Sequence, residues 1–154
     1  MSTQYGKNLI DISHESACVR ITRAEGKVSA ATMPGTVGTL NPEKVFVPGN
    51  NGDLYVLDRN FLYGRTAQDE VAVGDFAAFI PCYDGRYFNV LLDKGLDVKP
   101  SYALYVGDNG LVTNVAPKEG APVFAYAQES VVTTDAPKLV AAHIASGIKN
   151  GICI

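Results

Sequence analysis

The residues that could take part in catalysis are few in this chain. Nucleophilic catalysis needs a serine or cysteine beside a base that a third group orients. His14 and Cys18 would share one face of a helix, but the alternating run from Val19 to Thr22 favours extended structure. His143 lies between two apolar residues and is interpreted as a packing residue. An enzyme would bring His14, His143 and Cys82 into one cleft; we expect no enzyme and no catalytic residue.

Metal and cofactor motifs are equally sparse. The three cysteines are far apart and odd in number, so they predict neither a disulfide framework nor a CxxC zinc motif, and we expect buried free thiols. The run Asp108–Gly110 resembles part of a calcium loop but lacks the other oxygen ligands. Gly35–Gly38 lacks the lysine and hydroxyl of a phosphate-binding loop, and Asp69-Glu70 is interpreted as a polar turn. The sequence predicts no metal site and no cofactor.

Composition narrows the class of protein and its partners. Of the 154 residues, 47% are hydrophobic and 19% charged, so a sizeable buried surface is expected. The net charge of −3 argues against a nucleic-acid partner, which is normally bound through a basic face. No apolar run reaches the length of a signal-peptide core or a membrane span. We therefore expect synthesis in the cytoplasm and no membrane partner.

Short apolar and aromatic runs separated by glycine and proline predict a β-rich fold. The chain has 15 glycines and 8 prolines, spaced as in sandwiches and barrels of short strands. The clearest predicted hairpin joins residues 75–83 to residues 86–92. Asp84-Gly85 between them suits a type I′ turn, which needs two positive φ angles.

Further strands are predicted along the second half of the chain. A second hairpin joins residues 102–106 to residues 111–115 through a glycine-containing turn. Strands are also predicted at 53–57 and 122–127, where Val, Tyr and Phe are concentrated. The eight tyrosines and six phenylalanines, with no tryptophan, are interpreted as packing residues, as a protein interface or as a sugar-binding surface.

The first forty-five residues show less pattern. Strands are predicted at 8–12 and 17–22, whereas residues 26–48 are rich in Gly, Pro, Thr and Ala and have little periodicity. A segment this long without structure is uncommon unless it is functional or contacts a neighbour. We therefore divide the chain into an N-terminal arm or partly ordered strands over 1–45 and a β-rich body over 46–154, forming a single domain overall.

The C-terminal region permits two interpretations. Asp135 and Pro137 resemble the start of a helix, and Gly147 would end it, so residues 138–146 are predicted to be helical. The run 138–144 also suits a strand, followed by a turn at Asn150-Gly151; we favour the helix. The predicted fold is mainly β: a compact antiparallel β-barrel or sandwich with an extended N-terminal arm and one short C-terminal helix.

One part of the sequence resembles a known family. Residues 99–113 form a strand pair around a glycine turn, and residues 122–130 form a strand that ends in Ala-Gln-Glu-Ser. This arrangement, together with Val71–Asp75, resembles bacteriophage capsid decoration (head cement) proteins. The resemblance covers residues 70–146, and the N-terminal half shows no matching signature.

The resemblance implies a compact β-barrel or β-tulip-like body, trimeric, that joins major capsid protein subunits on the exterior of the expanded shell. Such a protein needs complementary apolar surface and extended arms rather than a reactive site. The predicted function is therefore a non-catalytic virion protein that stabilises the capsid lattice, with residues 1–45 needed for attachment. The alternatives are another virion component, such as a tail or minor capsid part, and a ligand- or sugar-binding β-module.

Overall fold

The chain is built from short strands joined by turns. The computed structural model describes residues 7, 9–12, 24–60, 63–83 and 85–145. Within these ranges there is no α-helix, and hence none long and apolar enough to cross a membrane. The strands are β1 (Ala24–Lys27), β2 (Val37–Leu40), β3 (Phe46–Pro48), β4 (Tyr55–Leu57), β5 (Phe76–Pro81), β6 (Tyr87–Leu92), β7 (Asp97–Val98), β8 (Ala103–Val106), β9 (Val112–Thr113), β10 (Ala125–Ala127), β11 (Val131–Val132) and β12 (Lys138–Ile144).

The first five strands form one antiparallel sheet. Their order across the sheet is β1-β5-β4-β2-β3. Just after β1, Val28 makes a bridge to Phe46 of β3, and the Ser29 N–H donates to the Phe46 carbonyl over 2.9 Å. The two outer strands of the sheet are therefore brought together at one end, which curls the sheet.

The second half of the chain forms a closed barrel. Its strand order is β10-β12-β6-β9-β8, and β8 closes the ring by pairing with β10. The β6–β9 pair is parallel and the others are antiparallel. Strands β7 and β11 form a separate antiparallel pair. The predicted mainly-β fold with a barrel is confirmed.

Two hydrophobic cores stabilise the five-stranded sheet and the barrel. The larger fills the barrel and continues onto one face of the five-stranded sheet through Val37, Val56 and Ile80. The smaller lies on the opposite face, where the Phe46 and Phe79 rings stack with centroids 5.1 Å apart. Because the sheet is buried on both faces, β5 is apolar throughout instead of alternating.

Strand β6 is hydrogen-bonded along both edges. One edge pairs with β12 over six residues. On the other edge, Asn89 N–H donates to the Ile10 carbonyl at 2.7 Å and Leu91 N–H donates to the Gly35 carbonyl at 2.9 Å. The same edge then continues to β9. Strand β6 therefore joins the N-terminal residues, the five-stranded sheet and the barrel.

The predicted hairpin between residues 75–83 and 86–92 is wrong in its pairing. Both segments are strands, but β5 pairs with β1 and β4, whereas β6 pairs with β12 and β9. The connection between them carries the chain from the sheet to the barrel, and Asp84 lies outside the described residues. The second predicted hairpin is confirmed as β8–β9, and the strands predicted at 53–57 and 122–127 are confirmed as β4 and β10.

The favoured C-terminal helix is also wrong. Residues 138–144 form β12, the longest strand, and the predicted turn at 150–151 lies outside the described residues. The apolar residues that suggested a helical face are buried on both sides of this strand. Val140 is fully buried, and Leu139 on the opposite face is covered by the Gly35 segment.

The N-terminal region is more structured than its sequence indicates. The run 26–48 contains β2, β3 and the end of β1, which were not predicted. The strand predicted at 8–12 is represented by one bridge, between Asp11 and Phe88, and the strand predicted at 17–22 lies outside the described residues. The division into an arm and a body stays a prediction.

Replacing Gly110 by alanine should destabilise the protein strongly. A Cβ atom there would lie 2.2 Å from the Val37 carbonyl oxygen, and the Val37 N–H donates to the Gly110 carbonyl at 2.9 Å. We expect Gly110→Ala to lower the free energy of unfolding in urea by about 3 kcal/mol or more. The control is Gly120→Ala, which has a similar positive φ but open space around it, and should cost about 1 kcal/mol. Equal losses of stability in the two variants would contradict the close approach of Gly110 to the Val37 carbonyl.

Candidate interaction surface

The candidate catalytic residues are not brought together. Cys82 is fully buried just after β5, and His143 lies half-buried on the outside of β12. His14, Cys18 and Cys153 lie outside the described residues. In the part of the chain that the structure describes, no three His, Cys, Asp or Glu side chains are placed to hold a metal ion. Neither Cys82 nor His143 lines any of three cavities found on the surface of this part.

Two of the remaining candidates have structural roles. Burial raises the pKa of the Cys82 thiol well above its usual range, because a thiolate would lose its hydration. Asp69 accepts hydrogen bonds from the N–H and hydroxyl of Thr66, at 2.8 and 3.1 Å, and these bonds lower the pKa of its carboxyl group. Cys82 is therefore held as a neutral thiol, and Asp69 is a carboxylate that stabilises the predicted polar turn.

The two glycine-containing runs are also used by the fold. The Gly35 N–H donates to the Leu57 carbonyl at 2.8 Å, and its own carbonyl accepts from Leu91. In the β8–β9 turn, the Asn109 side-chain oxygen accepts from the Leu111 N–H at 3.0 Å. These backbone and side-chain groups hold the sheet on the barrel and close a hairpin.

Three ring side chains form a row on the outside of the barrel, which we call the aromatic row: Tyr87, His143 and Tyr126. His143 of β12 lies opposite Tyr87 of β6 and opposite Tyr126 of β10. The Tyr87 and His143 rings stack, with centroids 4.3 Å apart and 12° between their planes. Tyr87 is 36% exposed and Tyr126 is 41% exposed.

The stacking decides what the aromatic row can bind. Because Tyr87 and His143 each cover a face of the other ring, neither offers that face to a ligand. The row also presents the partly exposed Tyr126 ring from a rigid strand. Tyrosine combines apolar contact area with a hydrogen-bonding group, as is typical of protein interfaces. This arrangement suits a protein partner.

The N-terminal residues are anchored beside this row. Asp11 forms an ion pair with Arg86 at 2.9 Å, with side chains only 7% and 9% exposed. Lys7 forms a second ion pair with Glu129, and the Leu9 carbonyl accepts from the Asn89 side chain at 2.7 Å.

The N-terminal residues and the aromatic row are continuous. The Ile12 N–H donates to the carbonyl of Tyr87 at 3.1 Å, so the described N-terminal residues reach the end of the row. We call the aromatic row together with residues 7 and 9–12 the candidate interaction surface. It combines exposed rings with a chain segment held by charged contacts.

The sequence indicated this surface only in part. The tyrosines were recognised as a group that could form an interface, but cross-strand register places Tyr126 beside His143, and the pairing of β10 with β12 was not predicted.

Comparisons with known proteins identify the fold. No protein-family model matches the sequence, and no curated protein is similar to it in sequence. Among solved structures, the chain is similar to the N base of the head fiber gp8.5 of bacteriophage phi29. The two share 15% sequence identity with a TM-score of 0.55, over 82% of this chain and 95% of that chain. The likeness establishes a shared fold.

Removing one partner of the buried ion pair should destabilise the protein. Asp11→Ala leaves the Arg86 guanidinium buried without its carboxylate, and we expect a loss of about 3 kcal/mol in the free energy of unfolding, measured in urea. The double variant Asp11→Ala with Arg86→Met should regain part of the lost free energy of unfolding, because it no longer buries an unpaired charge. The exposed control Glu43→Ala should change stability by less than about 0.5 kcal/mol. Equal effects of Asp11→Ala and Glu43→Ala would contradict this role.

Proposed function

We propose that this chain is a non-catalytic structural protein of a bacteriophage virion, and that it binds and stabilises the assembled capsid from the outside. The observation that carries the proposal is the fold, which is similar over 82% of the chain to the base of a phage head fiber. The resemblance of residues 70–146 to capsid decoration proteins points to the same class of protein independently of that structure.

The surface chemistry supports binding rather than catalysis. The candidate nucleophile Cys82 is buried and neutral, and His143 is stacked on a tyrosine. By contrast, the aromatic row places tyrosines on rigid strands, where little side-chain entropy is lost on binding. A protein that binds only the assembled lattice stabilises that lattice by mass action, and needs no reactive group.

We assign attachment to the candidate interaction surface and to the N-terminal residues that continue from it. These residues belong to the predicted arm over 1–45, of which Ile10, Val28 and Val37 contribute buried side chains to the cores. The proposed partners are the major capsid protein subunits and further copies of this chain in a trimer.

A second candidate is a different virion component, such as a tail or minor capsid part. The shared fold supports this candidate as well, because a fold can serve at several positions in an assembly. Measuring the binding of the chain to purified capsids and, in a separate assay, to purified tails distinguishes the two candidates. The sugar-binding alternative predicts selective signals on a glycan array.

The purified chain should form a symmetric trimer. Closed point-group symmetry is the rule for soluble homo-oligomers, and a three-fold particle fits the joints between capsid subunits. Light scattering coupled to gel filtration should give a mass about three times the 16.4 kDa of the monomer at micromolar concentration. A monomer mass both free in solution and after release from capsids would contradict the trimer.

Replacing Tyr126, the tyrosine at one end of the aromatic row, should weaken capsid binding. We expect Tyr126→Ser to reduce the affinity for expanded capsids lacking this protein by about tenfold or more, measured by co-sedimentation. The matched control is Val132→Ser, which removes a 54%-exposed apolar side chain from β11, outside the aromatic row. Both variants should keep the urea midpoint of the natural chain. Loss of binding in Val132→Ser but not in Tyr126→Ser would overturn the assignment.

A further inference from the structure

The chain contains the dipeptide Asn-Gly at 51–52, 109–110 and 150–151. Asparagine is a thermolabile residue, and in this dipeptide its side chain can react with the next backbone nitrogen, because glycine has no side chain to shield that nitrogen. The copy at 150–151 lies outside the described residues. The other two share one dipeptide but differ in their surroundings, so the fold can make one of them reactive and protect the other.

The copy at 109–110 is held by hydrogen bonds. The Gly110 N–H, whose nitrogen would be the nucleophile, donates to the Gly107 carbonyl at 3.0 Å, and the Asn109 side-chain oxygen accepts from the Leu111 N–H at 3.0 Å. Gly110 is also buried, and a Cβ built there would lie 2.2 Å from the Val37 carbonyl oxygen. The backbone therefore has no room to bring this nitrogen onto the side chain.

The copy at 51–52 lies in the connection between β3 and β4. Both residues are exposed, and no hydrogen bond within the described ranges holds the Asn51 side chain or the Gly52 N–H. Apart from chain neighbours, the atom nearest to a Cβ built at Gly52 is Thr39 Cγ2, at 3.6 Å. The preceding residue is anchored, because the Asn50 side-chain amide donates to the Val106 carbonyl at 3.0 Å. Asn51 and Gly52 can therefore rearrange without disturbing the packed residues before them.

We propose that Asn51 is a site of spontaneous deamidation in the folded chain, and that Asn109 is protected from the same reaction. The Gly52 nitrogen attacks Asn51 Cγ and forms a C–N bond that closes a cyclic imide. The bond from Cγ to Nδ2 breaks, and the side-chain nitrogen leaves as ammonia with the proton that the Gly52 nitrogen gives up. Water then opens the imide at either carbonyl, which yields aspartate or isoaspartate. Water is the co-reactant, and nothing is oxidised or reduced.

The reaction changes the charge of a cavity wall. Asn51 lines a cavity of about 150 Å³ together with Lys118, Tyr105 and Phe124. The new carboxylate therefore joins a wall that already carries a cation, and opposite charges attract. Deamidation makes the net charge of −3 one unit more negative. Because the modified residue is exposed and lies outside both hydrophobic cores, the fold is retained.

Peptide mapping of the aged full chain tests the proposal. Trypsin cleaves after lysine and arginine and separates the three copies into peptides 45–59, 95–118 and 150–154. The chain is kept in mildly alkaline buffer, folded in one sample and unfolded in urea in the other. Fragmentation of peptide 45–59 assigns the change to Asn51 or to Asn50, and enzymatic methylation detects isoaspartate.

In the folded chain we expect peptide 45–59 to convert at least about tenfold faster than peptide 95–118, because Gly110 must first break its hydrogen bond and move packed backbone. In urea the two peptides should convert at similar rates, since only the fold distinguishes them. Equal rates in the folded chain would overturn the proposal. So would conversion at Asn50 instead of Asn51, or a peptide 45–59 that converts in urea but not in the folded chain.

Two variants complete the test. Asn51→Gln should stop conversion in peptide 45–59, because the extra methylene would require a larger ring, and it should keep the urea midpoint of the natural chain. Asn51→Asp should elute on ion exchange with the aged form of the natural chain. Continued conversion of peptide 45–59 in Asn51→Gln would contradict the assignment. None of these measurements requires a capsid, so their result is independent of the proposed function.

Discussion

The fold depends on satisfying both hydrogen-bonding edges of β6. Buried N–H and C=O groups must be paired, and β6 is buried along nearly its whole length. One edge is paired by β12. The other is paired in succession by residues 10–12, by Gly35 and by β9, which come from three separate parts of the chain. Each of these parts approaches β6 closely. Glycine is favoured at Gly35 because its φ is +91° and a Cβ there would lie 3.2 Å from the Leu91 backbone nitrogen and 2.5 Å from the Leu139 side chain.

This constraint also separates the interior of the protein from its binding surfaces. With both edges of β6 occupied, this strand has no open edge, and a protein that contacts the barrel at β6 meets its side chains. The aromatic row lies on the outside of β6, β12 and β10, three adjacent barrel strands held in register.

Sequence patterns predicted the strands better than their partners. Residues 75–92 have strand composition and contain Asp84-Gly85, so a local hairpin was the expected pairing; the partner that β6 uses instead is β12, fifty residues later. Residues 138–144 showed helix-like apolar spacing because one face of β12 packs into the barrel core and Leu139 on the other face is covered by the Gly35 segment. From the sequence, the interaction surface could be predicted only as an abundance of tyrosine, because the register of the paired strands decides which rings become neighbours.

We propose above that this chain binds an assembled capsid through the candidate interaction surface. Electron cryo-microscopy of expanded capsids mixed with the purified chain can show whether it does. We expect added density on the outer surface of the shell, at joints between capsid subunits, with Tyr126 and the N-terminal residues turned toward the shell. Capsids that bind the chain with this face turned to solvent, or that remain bare at saturating concentration, would contradict it.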